Sequence, residues 1–499
     1  MDRHGTTETG LMIPEVQHPL GIAEIIPEVR SAQAAWERTA VAGRLDVVAR
    51  LRRLIARDAR PLAEAVGERP GRAPGETAAL EILPLLDACR FLEREAAGLL
   101  APRRLGSRGR PAWLFGVAAE IRRDPLGVVL VIAPSNYPLF LPGVQIVQAL
   151  AAGNAVLVKP APGCVAPMEA LLGLLGEAGL PDGLCHLLDA SVEAGREAIA
   201  VGVDKVVLTG SVATGRRVLA DLAEHLTPAV MELSGNDAVF VLPGADPDMA
   251  ARALAYGVRL NGGATCIAPR RVFADRSLAL DLERRLAPLV LDAAPVAVPE
   301  RIREQVARLV EEAEAAGCRL IGRPFRAEEP EMAPLLVADA VPELGLLRED
   351  IFAPVLSLVP VAGEEDALAA SSHCDYALGA AVFGPEKQAL ALAGRIRAGA
   401  VTVNDLIVPT ADPRLPFGGR GASGFGTTRG AEGLLEMTAL KAVAVRGGRF
   451  RPHYDPLGPA DSAMMFDYIE AAHSSGGRLP AVRRLVRGLM GRGRSASGT

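Results

Sequence analysis

Between residues 128 and 233 short, almost wholly apolar segments alternate with longer amphipathic ones, and no other feature of the chain limits its fold as much. Val128–Ile132, Ala155–Lys159 and the runs 186–188, 206–209 and 230–233 are rich in Val, Leu and Ile and carry almost no polar residue. A strand with one wet face would alternate apolar and polar side chains. Strands this apolar predict burial on both faces, the condition of a parallel sheet covered by helices. Helices are predicted between them at Val165–Glu177, Val192–Ala200 and 212–225, which makes the region a doubly wound α/β layer.

The flanking sequence extends this plan. From about residue 31 to 98 the chain is helical in character, with Leu45, Val48, Leu51 and Ile55 at helical spacing, and 102–109 is a basic, turn-rich connector. A second alternation starts after Pro243, with a helix at 246–260, a strand at 271–274, a helix at 277–287 halted by Pro288 and a run at Val355–Val361, reaching Gly424. Residues 434–445 read as a late strand, and beyond Phe450 comes a Pro/Gly-interrupted tail. Two α/β lobes suit a chain of 499 residues.

Charge and cysteine usage exclude several roles. Lys and Arg number 54 against 59 Asp and Glu, for a net charge of −5, so no chain-wide basic field exists to hold nucleic acid. The six cysteines lie far apart, with neither a CxxC pair nor a Cys/His cluster, and suggest no disulfide framework and no metal site. MDRHGTTETG lacks the features of a signal peptide, and no apolar run approaches the roughly 18 to 20 residues of a membrane span. A cytoplasmic location is expected.

Several segments could carry chemistry. Asn136, in Pro134-Ser135-Asn136-Tyr137-Pro138, follows a strand where ligands of α/β sheets gather, and either donates to an oxyanion or only satisfies a turn. Lys159 ends the next strand and either reaches a ribose or phosphate or lies in solvent. Thr209-Gly210-Ser211 opens a helix, and Ser211 is a phosphate contact or a plain N-cap. Glu232 lies near a strand end and is either solvated there or partly buried, and burial would raise its pKa towards general-base work. Cys266 sits in the Gly-rich loop Asn261-Gly262-Gly263-Ala264-Thr265-Cys266 and is an activated thiol or a small buried hydrophobe.

Taken together with Asp350-Ile351-Phe352-Ala353-Pro354 and Pro416-Phe417-Gly418-Gly419, these motifs stand in an order and spacing that resemble the aldehyde dehydrogenase superfamily, over about residues 31 to 446. Asn404, shortly before Pro416, is most similar to the branch acting on fatty and aromatic aldehydes. The resemblance implies an α/β fold with a Rossmann-like cofactor domain (1–232, with part of a bridging sheet near 112–125), a catalytic domain (233–424) and a return segment with an oligomerisation strand (425–447). It implies Cys266 as nucleophile, Asn136 and the Cys266 N–H as oxyanion donors, and Glu232 as the base that hydrolyses a thioester. Lys159, Thr209, Gly210, Ser211, Asp350 and Phe352 would bind NAD or NADP. Tyr137 and Phe417 would line the substrate channel, and the protein would be a homodimer or tetramer.

Three departures bear on this. Asp350 stands where the family usually has Glu, and Pro162 where a Glu often disfavours NADP, so both cofactors stay open. Ser135 replaces a common Trp. Rival readings are a CoA-acylating or acyl-reducing relative, against which Glu232 weighs, and a catalytically silent binding relative. Finally, residues 476–499 carry six arginines and no acid, with Val482, Leu485, Val486, Leu489 and Met490 at helical spacing. A helix over about 481–490 would either touch a membrane surface or dock on an acidic protein surface.

Overall fold

The computed structural model describes residues 21–68, 72–449, 451–454, 456–476 and 478–495. The N-terminal decapeptide and the last four residues of the basic tail lie outside them. The described residues form two compact units: those up to Arg103 with Ile121–Ala442, and Arg104–Glu120 with those from Val443 onward.

The first apolar alternation folds into a six-stranded sheet. Its strands are β1 (Val128–Ile132), β2 (Ala155–Lys159), β3 (Cys185–Leu187), β4 (Lys205–Gly210) and β5 (Ala229–Leu233), in the order β5-β4-β1-β2-β3, all parallel. Gly424–Phe425 adds a short antiparallel edge to β5. Every residue of β1 and β2 is buried, as expected of strands covered on both faces. The helices between them are α1 (Phe140–Ala152), α2 (Val165–Glu177), α3 (Val192–Ala200) and α4 (Val212–Ala223). The chain leaves β1 for β2 on one side and returns to β4 on the other, so the strand order reverses between β1 and β4, where open α/β sheets bind ligands.

The second sheet has seven strands: β6 (Asp237–Val241), β7 (Pro269–Asp275), β8 (Arg319–Gly322), β9 (Leu335–Ala338), β10 (Val355–Val361), β11 (Gly379–Phe383) and β12 (Ala400–Val403). Their order is β8-β9-β10-β7-β6-β11-β12, and only β8 runs antiparallel to its neighbour. Along β6, Ala238 and Phe240 enter one core and Val239 and Val241 the other, so the two-residue period of a strand feeds helix layers on both faces, among them α5 (Pro247–Arg259), α6 (Arg276–Leu291) and α7 (Glu300–Ala315).

Two expectations need correction. The helix expected to stop at Pro288 runs on as Arg276–Leu291, because Leu282, Leu286 and Val290 continue one buried stripe and packing outweighs the lost N–H. Residues 434–445 are not one strand: Gly430–Glu436 is helical and buries Leu434, and the strand is Thr438–Arg446, paired in a three-stranded sheet with Arg103–Leu105 and Val117–Pro125. The tail after residue 450 holds α8 (Pro459–His473) and α9 (Arg478–Ser495), and the second spans the helix expected over about 481–490.

A buried ion pair joins the helical lead-in to the first sheet. The Arg72 and Glu81 side chains are both fully buried and meet at 2.8 Å. Glu81 also accepts the N–H groups of Leu139 (3.2 Å) and Phe140 (2.8 Å) at the start of α1, and Arg72 donates to the Asn136 carbonyl (3.3 Å). Removing Glu81 leaves a buried guanidinium and two orphaned amides. Glu81→Ala is therefore expected to destabilise the fold by about 3–5 kcal/mol in denaturant unfolding. A loss below about 1 kcal/mol would show that the pair does not hold α1 in place.

Candidate active site

Two sheet edges face each other across a cavity of about 910 Å³. From the first come the residues after β1 and at the carboxyl ends of β4 and β5: Asn136, Thr209, Gly210, Ser211 and Glu232. From the second come residues preceding β7 and β10, namely Cys266, Asp350 and Phe352. The structure thus brings together eight of the eleven site residues expected from sequence.

Cys266 owes its position to a loop of unusual backbone. Asn261 and Gly263 have φ of 55° and 79°, and a Cβ on Gly263 would come within 2.6 Å of the Pro354 nitrogen. Arg270, fully buried, donates to the Gly263 and Ala353 carbonyls and so ties this loop to the segment bearing Phe352. Asn136 donates from Nδ2 to the Ala264 carbonyl at 2.9 Å, and Asn261 donates to the Asn136 carbonyl at 3.0 Å. Burial pushes the Cys266 thiol well up, and the carboxylates of Glu232 and Asp237 add to the shift while Arg429 opposes it.

Glu232 is 2% exposed. Its Oε2 accepts from Thr209 (3.3 Å) and Thr428 (3.4 Å), and Gln145 in turn donates to the Thr209 hydroxyl (3.2 Å). Its Oε1 has no hydrogen-bond partner among the described residues. Burial raises its pKa against the pull of Arg429 and the two hydroxyls, which suits a general base more than a permanently ionised surface acid.

The remaining residues divide between wall and support. Asp350 lines the cavity with a buried, unpartnered Oδ1, and burial pushes its carboxyl up to about 6 against Ser234, Arg270 and Arg301. Ser211 lines the cavity while its hydroxyl accepts the Thr214 N–H (3.2 Å), so it is the N-cap of α4 and the helix start opens on the cavity. Lys159 ends β2 beside the last residue of β1, its stem against Gly195 of α3, but outside the cavity lining. Tyr137 and Phe417, expected in a substrate channel, are buried behind the wall. The Tyr137 hydroxyl is 2.7 Å from Thr265 Oγ1, which braces the Cys266 loop, and the Phe417 ring lies under Arg429.

The donor set fits a dinucleotide. The open N-terminus of α4 with Arg216 beside it suits phosphate, and the orphaned Asp350 oxygen suits a ribose hydroxyl. Among the described residues no group of three His, Cys, Asp or Glu side chains could hold a metal ion.

Sequence reasoning missed Arg429, a buried guanidinium with φ of 62°. It stacks 4.1 Å over the Phe417 ring, donates to the Thr410 carbonyl (2.8 Å), and has no carboxylate within 4 Å among the described residues. Its charge acts on both Cys266 and Glu232. In a Gly-rich segment it reads as an ordinary surface residue, and nothing local marks it. Removing its charge favours the protonated thiol. Arg429→Gln should therefore slow alkylation of Cys266 by iodoacetamide at neutral pH, on the order of tenfold, with Arg429→Lys in between, followed by mass of the Cys266 peptide. Equal rates in all three proteins would remove Arg429 from the thiol's electrostatics.

Known proteins share this architecture. The sequence profile of the aldehyde dehydrogenase family matches residues 16–443. The chain is 30% identical over 433 residues to 4,4'-diapolycopene aldehyde oxidase of Methylomonas sp, covering 85% of this chain and 81% of that protein. It resembles the crystal structure of a Mycobacterium tuberculosis aldehyde dehydrogenase complexed with NAD+ (TM-score 0.77, 27% identity, 86% and 92% covered). It also resembles that of an NADP-dependent glyceraldehyde-3-phosphate dehydrogenase from Bacillus halodurans C-125 complexed with NADP (TM-score 0.77, 25% identity, 85% and 90% covered). The chain belongs to the aldehyde dehydrogenase family and is an aldehyde oxidoreductase that works with NAD or NADP.

Proposed function

We propose that the protein oxidises an apolar aldehyde, long-chain or aromatic, to the carboxylic acid by way of a thiohemiacetal and a thioester on Cys266. The observation that carries this reading is the shared cavity: a thiol on one sheet edge and a buried, proton-accepting carboxylate on the other. Cys266 Sγ attacks the aldehyde carbon as its proton passes to solvent, and the new oxyanion is met by the Asn136 amide and the Cys266 N–H. A nicotinamide cofactor held by Ser211, Asp350 and Phe352 would supply the acceptor for the hydride lost from the carbon as the thioester forms. Glu232 then removes a proton from water, whose oxygen attacks the thioester, and the carbon–sulfur bond breaks to release the acid and free Cys266.

Supporting roles belong to the same proposal. Ser211 and the α4 N-terminus hold the pyrophosphate, Lys159 reaches an adenosine ribose at its strand end, and Asp350 and Phe352 hold the nicotinamide half. Tyr137 and Phe417 shape the substrate side from behind the wall. The apolar substrate class draws support from the relative named for a diapolycopene aldehyde. The three-stranded sheet with Thr438–Arg446 is the proposed contact of a homo-oligomer, and the tail after residue 476 a contact with the membrane surface of the cytoplasm.

Purified protein offered long-chain, aromatic and short polar aldehydes with NAD and with NADP, following reduced nicotinamide, tests the reading. The largest kcat/KM is expected for a long-chain or aromatic aldehyde, with free acid as product and no response to CoA. Preference for a short charged aldehyde would overturn the substrate class, and turnover that requires CoA would favour an acylating enzyme.

A further inference from the structure

The helical pair α8 and α9 lies beyond residues 16–443, the part of the chain that the family profile matches. The two helices pack on each other, and Ala481 is fully buried in the pair. Arg484 of α9 donates to Asp467 (2.6 Å) and Glu470 (2.5 Å) of α8. The acidic surface that could have received the basic helix is thus on the neighbouring helix, and one arginine satisfies it.

What remains outward is apolar and positive. On α9, Leu479 is 74% exposed, and Val482 and Val486 are exposed at i+3 and i+7 from it. Arg478, Arg483 and Arg487 are exposed beside them. On α8, Phe466 is 72% exposed, with Met465 and Ile469 also exposed. Water alone gives no reason to keep six large apolar side chains outward on two short helices. A nucleic-acid partner would use the arginines but not the apolar faces. Neither helix is long and apolar enough to cross a membrane. A helix with apolar and arginine side chains outward, in a segment of six arginines and no acid, matches the chemistry of an anionic bilayer surface: acyl chains for the apolar residues and phosphate headgroups for the arginines.

We propose that the α8–α9 hairpin is a docking surface for an anionic lipid bilayer, lying in its interface without spanning it. The proposal deepens the apolar-aldehyde reading, since an aldehyde dissolved in the bilayer is met at its surface by a docked enzyme. It stands on the hairpin alone.

The test is co-sedimentation of the full-length protein with vesicles of phosphatidylcholine, with and without phosphatidylglycerol. Wild type is expected to bind the phosphatidylglycerol vesicles and to be released by salt. A Leu479→Ser, Val482→Ser, Val486→Ser variant should lose this binding. An Arg478→Gln, Arg483→Gln, Arg487→Gln variant should bind on the order of a hundredfold more weakly. Turnover of a short aldehyde should stay unchanged in every variant, since none of these residues belongs to the cavity. No vesicle binding by wild type, or equal binding by all three proteins, would overturn the proposal. So would a wild-type dimer that the apolar variant dissolves without any vesicle binding, which would assign the face to a second copy. Loss of aldehyde oxidation with vesicle binding intact would count against the functional reading and leave the docking surface standing.

Discussion

The turn from β5 to β6, which leaves Glu232 and passes through Ser234 and Gly235, lies directly on the carbonyl of Cys266. A Cβ on Gly235 would sit 2.5 Å from that oxygen, so only glycine allows the two backbones to approach this closely. That approach sets the distance between the carboxyl edge of one sheet and the amino edge of the other. The rest of the site depends on it: the cavity exists because two sheets meet edge to edge, and Glu232 and Cys266 share it because they occupy the facing rims. The first sheet alone would have a ligand crevice without the Cys266 thiol, and the second a thiol without the Glu232 carboxylate.

Bringing these rims together concentrates ionisable groups out of water. Glu232, Asp237 and Asp350 are all pushed up by burial, whereas Arg270 is pushed down to about 10 and Arg429 is lowered for the same reason. A core built only for stability would avoid such a set, because unpaired buried charge is costly. Here the costs have recognisable uses. Arg270 clamps two loops, Arg429 supplies positive charge to a thiol and a carboxylate without forming an ion pair with either, and the shifted Glu232 is suited to take a proton.

Much of the architecture was legible because it rests on local pattern. Runs such as Val128–Ile132 and Ala155–Lys159 could only be doubly buried strands, and the helices Val165–Glu177 and Val192–Ala200 keep the bounds that periodicity gives them. Cys266, Glu232 and Asn136 were legible because their motifs stand in register with a known family. What stayed hidden depends on partners distant in sequence. Nothing near Glu81 says that it caps α1 some sixty residues on, and nothing near Arg429 says that it faces Cys266. Tyr137 was assigned to a wall, but its hydroxyl finds Thr265, and Pro288 was taken as a stop that tertiary packing overrides. In the tail the helix over about 481–490 was legible from its spacing, but not that α8 would give it a neighbour to pack on.

The central claim is a division of labour: Cys266 carries the acyl group and Glu232 alone releases it. Intact mass of Glu232→Gln, mixed with aldehyde and oxidised cofactor and quenched at successive times, tests this most directly. The account predicts a burst of reduced cofactor of about one equivalent per site, followed by a stable mass increase equal to the acyl group and mapped to the Cys266 peptide. Steady turnover without an adduct, or an adduct on any other cysteine, would contradict it.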